Sequence, residues 1–211
     1  MTTRTVFTAR ALRTVALFLV LGTVTQSPAL GAARRNSPVA SVGHRATNVG
    51  GCLGTRVLTT DRASLRYPSC WHLSKYPDDS TMTRVLAFLS NQPTHPPCDT
   101  TRSATTTTTR CGFPIKALEN GGVLVMFVEG GMPGWTIANQ TGQRVVVDHH
   151  VARETVSPKP NDSLHATEVI TIFIDRGIPD NYYELDAFFR NPGVAEDRRL
   201  LQRMLYSMRI E

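Results

Sequence analysis

Alternation between apolar and polar residues predicts most of the strands in this chain. In residues 84–90, RVLAFLS, the alternation places Val85, Ala87 and Leu89 on one face of a strand. Residues 122–130, GVLVMFVEG, are apolar almost throughout, which is typical of a strand covered on both faces. The same patterns predict strands at 64–67 and 71–76 around a bend at Pro68, a hairpin over 144–156, and two long strands at 167–176 and 182–190.

One amphipathic helix is predicted near the C-terminus. Its apolar stripe repeats at i, i+1, i+4, i+5 and i+8, through Leu200, Leu201, Met204, Leu205 and Met208. A single helical turn is also predicted at 114–118. One strong helix with roughly six to eight strands predicts an α+β domain, in which a mostly antiparallel, twisted sheet is flanked by the C-terminal helix.

The N-terminal segment has the pattern of a secretory signal peptide. Three arginines are followed by the apolar run VALFLVLGTV at 15–24 and by small residues at 29–33. A transmembrane helix is the alternative, but it needs about 20 apolar residues. We therefore expect residues 1–32 to direct export, with cleavage near residues 31–33, a flexible leader at 33–50 and a single domain at 51–211. Lipid attachment at Cys52, within NVGGC, is a less favoured alternative.

The charge balance narrows the class of partner. The chain has 23 basic and 17 acidic residues, and loss of the three signal-peptide arginines leaves 20 against 17. No basic run exceeds two residues, whereas nucleic-acid-binding proteins cluster their basic residues on one face. We expect no nucleic acid, no cofactor, no membrane span in the mature chain, and a protein or cell-envelope component as the partner.

Four cysteines predict two disulfides in an oxidising compartment, with three connectivities open: Cys52, Cys70, Cys98 and Cys111. Cys98 and Cys111 enclose DTTRSATTTTTR, a polar segment that we expect to be a disordered loop. A disulfide across a loop of this length contributes about 3 kcal/mol in the chain-entropy model. We favour this pairing, and the pair Cys52–Cys70 then follows by elimination.

Neither a metal site nor a catalytic cysteine is predicted. The short CxxC and HxxxH spacings of zinc sites are missing from the sequence. Cys70 and His72 would share one strand face, but they supply only two ligands. His149 and His150 are adjacent in the predicted hairpin turn, so their side chains should not converge on one ion.

Two pairs of acidic residues have the spacing of paired catalytic carboxylates. Glu184 and Asp186 would share a strand face at roughly 7 Å, and Glu168 and Asp175 form the second pair. Such spacing is common, and the face that carries Glu184 is expected to be solvated. Because the sequence has no GxSxG, HExxH, P-loop or GxGxxG motif, we predict no catalytic residue.

Trp71 and Trp135 each follow a break in the chain, the first beside Cys70 and the second in GGMPGW. A tryptophan in such a position usually fills the end of a core, so we expect both to be buried. The alternative is an exposed platform on which a sugar or a peptide stacks.

Several segments resemble one uncharacterised family of small secreted proteins from high-GC Gram-positive bacteria. They are ASLRYPSCWHLSKY, FLSNQPTHPPC, GGVLVMF and GMPGW, within residues 60–150. The strand-Pro-Trp opening and the helix ending LYSMRI are more distantly similar to the Mog1/PsbP-like fold. This resemblance implies a twisted antiparallel sheet flanked by helices, and it carries no catalytic residue over to this chain.

Three functions are compatible with the sequence. The favoured one is an exported, non-catalytic domain that binds a protein or cell-envelope component. A hydrolase with an unrecognised site is the second. The third is a small-molecule or lipid carrier with its pocket between sheet and helix, which should leave an apolar cavity under Met204, Leu205 and Met208.

Overall fold

The computed structural model describes residues 52–76, 82–103, 105–158 and 162–211. The predicted signal peptide and leader lie outside these ranges. Within them the chain forms twelve strands and one α-helix: β1 (Thr55–Thr59), β2 (Ala63–Pro68), β3 (His72–Ser74), β4 (Thr83–Ser90), β5 (Cys98–Arg102), β6 (Thr107–Cys111), β7 (Val123–Gly131), β8 (Gln143–Val147), β9 (His150–Ser157), β10 (Glu168–Asp175), β11 (Asn181–Phe189), α1 (Val194–Tyr206) and β12 (Arg209–Ile210).

Seven of the strands form one sheet in the order β3-β4-β7-β11-β10-β9-β8. A second sheet has three strands in the order β1-β2-β12, and β5 with β6 forms a two-stranded ribbon. Every strand pair in the described part of the chain is antiparallel. The predictions of an α+β domain, a mostly antiparallel sheet and a C-terminal helix are therefore confirmed.

The two faces of the seven-stranded sheet are covered differently. On one face, which we call the helix face, Phe127, Ile172 and Leu185 pack against α1 and the three-stranded sheet in the larger core cluster. The helix contributes the predicted stripe to this cluster, including Leu201 and Met208. On the other face, which we call the open face, a smaller cluster around Phe88 and Phe188 covers only one end of the strands.

The predicted face of β4 is wrong at one position. Its register with β7 shifts between Val85 and Ala87, as at a β-bulge. The extra residue turns Val85 to the cluster on the open face, whereas Ala87 and Leu89 stay in the larger cluster. Strict alternation fails here because a bulge breaks the two-residue period.

Two further expectations about local structure are also wrong. Residues 98–102 and 107–111 pair as the strands β5 and β6 where a disordered loop was expected, with Cys98 opposite Cys111 at the base of the ribbon. Residues 114–117 are a series of bends without helix. Their apolar side chains contact the open-face cluster through Ile115 and Leu118, so packing and not helix propensity sets the backbone there.

A search of the described residues finds no helix that is long and apolar enough to cross a membrane.

Candidate functional site

The middle of the open face carries two carboxyl groups on the central strand β11. Asp186 lies opposite Met126 on β7 and Thr171 on β10. Glu184, two residues earlier on the same face, lies opposite Phe173 on β10. All five side chains are half-buried. The expected solvated face is therefore only partly exposed, because segments distant in sequence cover both of its ends.

The two carboxyl groups affect each other's protonation. Thr171 donates a hydrogen bond from Oγ1 to Asp186 Oδ1 at 2.5 Å, and Glu184 lies two residues before Asp186 on the same face of β11. Burial, and next the charge of Asp186, raises the pKa of Glu184 to about 7. Burial also raises the pKa of Asp186, against the lowering effect of the Thr171 hydrogen bond. Near neutral pH the pair can therefore hold a proton between two half-buried carboxyls.

Aromatic rings form a wall at one end of this face. Trp135 stacks on Tyr182 with 4.7 Å between ring centroids, and Phe173 meets Tyr182 edge-on at 5.7 Å. The tight turn at Met132 positions the indole. In this turn the backbone N–H of Trp135 donates to the Met132 carbonyl at 2.9 Å, and Gly134 has a φ of 81°. The ring of Tyr182 lies across Gly130, where a β-carbon would collide with it.

The opposite end of the face is closed by the smaller core cluster. Phe113 meets Phe188 edge-on at 5.4 Å and Phe88 at 6.2 Å. Leu118 and Leu164 complete the cover, and the Leu118 N–H donates to the Leu164 carbonyl at 2.8 Å. The carboxyl pair thus lies between two apolar walls, in a position suited to bind a ligand with an apolar body and a cationic or hydroxyl group.

Both tryptophans are buried. Trp71 is 5% exposed within the larger core cluster and Trp135 is 7% exposed. An indole buried to this extent does not offer a free face, so the alternative of a ligand platform at Trp71 or Trp135 does not fit the structure. In the aromatic wall it is the half-buried Tyr182 and Phe173 that remain partly accessible.

The structure joins Cys52 to Cys70 and Cys98 to Cys111, the two pairs that the sequence favours. Their Cα atoms are 5.3 Å and 4.0 Å apart, respectively. The first bond leaves no thiol at Cys52 for lipid attachment. It ties the start of β1 to the bend before Trp71, whose N–H donates to the Pro68 carbonyl at 3.0 Å. Cys70 is thus a covalent tie beside a core indole.

The two histidines of the hairpin turn are used separately. Asp148 and His149 have φ values of 46° and 68°, which form the two-residue turn between β8 and β9. His150 has its Nδ1 atom 2.7 Å from the Asp175 carbonyl, and the Asp148 carboxylate accepts the Ile210 N–H at 2.7 Å. In the described part of the chain no group of three metal-ligating side chains is found.

The second acidic pair is separated into different contacts. Glu168 forms a two-point ion pair with Arg198 on α1. Asp175 accepts the Gly177 N–H at 2.8 Å in the following turn. Neither contact brings these two carboxyls together.

A charge cluster on the helix face was not predicted from the sequence. Glu129 contacts Arg84 at 2.6 Å and also pairs with Arg176, which is only 8% exposed. The Arg176 guanidinium lies 4.7 Å above the ring of Tyr183. Register places Arg84 and Tyr183 on either side of Glu129, a relationship that emerges only once the strand order is known.

Comparisons of the chain with protein-family models, curated proteins and solved structures find no match.

Proposed function

We propose that this protein is an exported domain that binds a protein or cell-envelope component. Two disulfides are compatible with an oxidising compartment, and the arginine-then-apolar pattern of the N-terminus supports export. We also propose membership of the family of secreted proteins that the sequence resembles, and a Mog1/PsbP-like arrangement of the sheet and helix. The described fold is compatible with that arrangement.

The ligand contact is proposed on the open face. The observation that carries this proposal is the half-buried pair Glu184–Asp186, in which Asp186 accepts a hydrogen bond from Thr171. Burying two carboxyls costs stability unless they are compensated, and the site retains them between aromatic walls. A group that donates hydrogen bonds or carries positive charge would compensate them on binding.

Binding of fractionated cell-envelope material to the purified secreted protein tests this proposal. Wild type is compared with the double variant Glu184→Gln/Asp186→Asn, which keeps shape but removes both charges. Glu119→Gln is a matched control, since Glu119 is exposed and lies away from the pair. We expect the double variant to lose at least about tenfold in affinity, or about 1.4 kcal/mol, and the control to bind as wild type does.

Backbone NMR then locates the contact. The expected result is that amide signals of β7, β10 and β11 shift when the bound fraction is added. Equal binding by wild type and the double variant, or shifts confined to other strands, would refute the open face as the binding surface.

A hydrolase remains the second candidate, because two carboxyls that share a proton can act as an acid and a base. Turnover of a substrate by wild type, lost in Glu184→Gln, would establish this candidate in place of the binding domain.

The carrier has weaker support. Met204, Leu205 and Met208 are packed in the larger core cluster. A cavity of about 290 Å³ lies instead beside the disulfide of Cys52, where Leu200 and Arg203 form part of its lining.

A further inference from the structure

Strand β8 is an open edge of the seven-stranded sheet. It is last in the strand order, and among the described residues its backbone hydrogen bonds are confined to β9. The two-residue turn makes Val147 and His150 a hydrogen-bonded pair, so Arg144 and Val146 direct their N–H and C=O groups away from β9. The edge carries no proline or lysine, which commonly protect such strands from pairing.

Two arginines face each other at this edge on the open face. Arg144 on β8 is the register partner of Arg153 on β9, and like charges directly opposite each other destabilise a sheet. Among the described residues neither guanidinium has a carboxylate partner within salt-bridge distance. The Arg153 Nη1 atom reaches only the Gly142 carbonyl, at 3.4 Å, and its buried Nε atom has no hydrogen-bond partner.

We propose that β8 accepts an extended strand from a partner protein, and that this strand carries an acidic residue opposite Arg144. An added strand would satisfy the outward backbone groups of Arg144 and Val146. Its side chains alternate, so those on the open face meet Arg144 and Val146, and Val146 is 55% exposed. A carboxylate there would neutralise the positive charge of the paired arginines.

This inference rests on the proposed function. It specifies that the partner of the binding domain is a protein, and that the segment in contact is an extended strand with an acidic residue. The new strand would lie at the margin of the same open face. Phe173, which is the register partner of both Arg153 and Glu184, separates the arginine pair from the carboxyl pair.

Titration of the ¹⁵N-labelled full secreted chain with synthetic peptides tests the proposal. The probe is an N-acetylated, C-amidated strand of alternating valine and threonine with one central glutamate, and its matched control has glutamine there. We expect the glutamate peptide to shift the amides of β8 and the Nε signals of both arginines. The glutamine peptide should bind at least about fivefold more weakly, since only the charge pair is lost.

Two pairs of variants separate backbone pairing from charge. Val146→Pro removes a backbone N–H that points away from β9, so the hairpin should persist while peptide binding falls about tenfold or more. The control Val146→Thr keeps this N–H and should therefore keep peptide binding. The Arg144→Gln variant should lose most of the preference for the glutamate peptide, with Arg153 supplying the remainder, whereas the Arg144→Lys variant should keep more of it.

Three results would overturn the proposal: absence of binding by the glutamate peptide, equal binding of the two peptides to wild type, and retention of binding by Val146→Pro. Concentration-dependent self-association through β8 would also overturn it, because the occupant would then be a second copy of the chain. The exposed control Glu119→Gln should bind the peptide as wild type does. If the glutamate peptide fails to bind while envelope binding still depends on the carboxyl pair, strand addition alone is refuted. If the peptide binds while envelope binding does not depend on that pair, the open-face proposal alone is refuted.

Discussion

Tyr182 lies across Gly130, its register partner on the neighbouring strand, and stacks on the buried Trp135. The glycine is required there by the ring above it, since its position in a strand would otherwise favour a larger residue. The aromatic wall of the open face therefore depends on the absence of a single β-carbon.

Gly130→Ala is expected to displace Tyr182 and loosen the stack with Trp135. The clash involves a ring held by neighbouring strands, so we expect a loss of about 1–3 kcal/mol in unfolding free energy, in the range for overpacking. Urea denaturation followed by tryptophan near-UV circular dichroism measures both effects. Gly112→Ala is the control, because no atom lies within 4 Å of a β-carbon built there. An unchanged tryptophan signal in Gly130→Ala would contradict the described contact.

The raised pKa of Glu184 predicts a pH-dependent stability. The folded state binds this proton up to about pH 7, whereas the unfolded chain releases it near the ordinary value of 4.5. Raising the pH between these values therefore favours the unfolded chain. The slope is well below the limit of about 1.4 kcal/mol per pH unit, because the side chain is partly exposed to solvent.

Glu184→Gln should flatten this part of the profile. At about pH 8 we expect the variant to be more stable than wild type by about 1 kcal/mol, and near pH 4 to be equal to it. Urea denaturation across the range provides the measurement, with Glu119→Gln as the exposed control. If the unfolding free energy of Glu184→Gln varied with pH as steeply as that of wild type, a group other than Glu184 would hold the proton.

Asp197 is a second source of pH dependence, on α1. The residue is 2% exposed, and neither carboxyl oxygen has a hydrogen-bond partner among the described residues. Burial, and next the charge of Glu196, raises its pKa to about 6. Since the folded pKa lies above the unfolded value of 3.8, stability should fall as the pH rises from about 4 to 6.

Asp197→Asn removes the buried charge at nearly constant volume. We expect a gain of about 1 kcal/mol at about pH 8, and none below about pH 4, where wild type is already protonated. Glu119→Gln is the control, because that carboxyl is exposed and lies outside α1. Destabilisation by Asp197→Asn at neutral pH would mean that the carboxylate has a favourable contact.

The sequence predicted those elements whose pattern is dictated by burial on one face. In β10, Ile170, Ile172 and Ile174 alternate with less buried residues, and α1 repeats its apolar stripe because a core covers one side of it. The carboxyl pair was identified as two residues on one face for the same reason. Its half-burial was missed, because that depends on Trp135 and Phe113, which lie far from β11 in the chain.

Other features left no local signal. The bulge after Val85 requires an extra residue that an alternating pattern does not mark. The ion pairs of Glu129 depend on the strand order, which juxtaposes residues more than forty positions apart. The β5–β6 hairpin is polar on both faces, so no alternation distinguishes it from a loop, and only its terminal cysteines indicated that its ends meet.

The two disulfides should contribute unequally to stability. Cys52 packs against the larger core cluster, so the segment it ties remains folded until the domain unfolds. Cys98–Cys111 closes a ribbon whose side chains at 99–102 and 107–110 are all exposed, and an isolated two-stranded ribbon is marginally stable at best. Without this bond the ribbon should open while the sheets persist, and the native state then regains entropy that offsets part of the lost constraint.

We therefore expect Cys98→Ser/Cys111→Ser to lower the unfolding free energy by about 1 kcal/mol and Cys52→Ser/Cys70→Ser by about 3 kcal/mol. Hydrogen exchange locates the effect: the first variant should lose protection across the ribbon alone, whereas β7 and β11 keep theirs. The comparison is well matched, since the two bonds span 18 and 13 residues and chain entropy alone predicts nearly equal losses. Equal losses would therefore show that the ribbon folds and unfolds as one unit with the sheets.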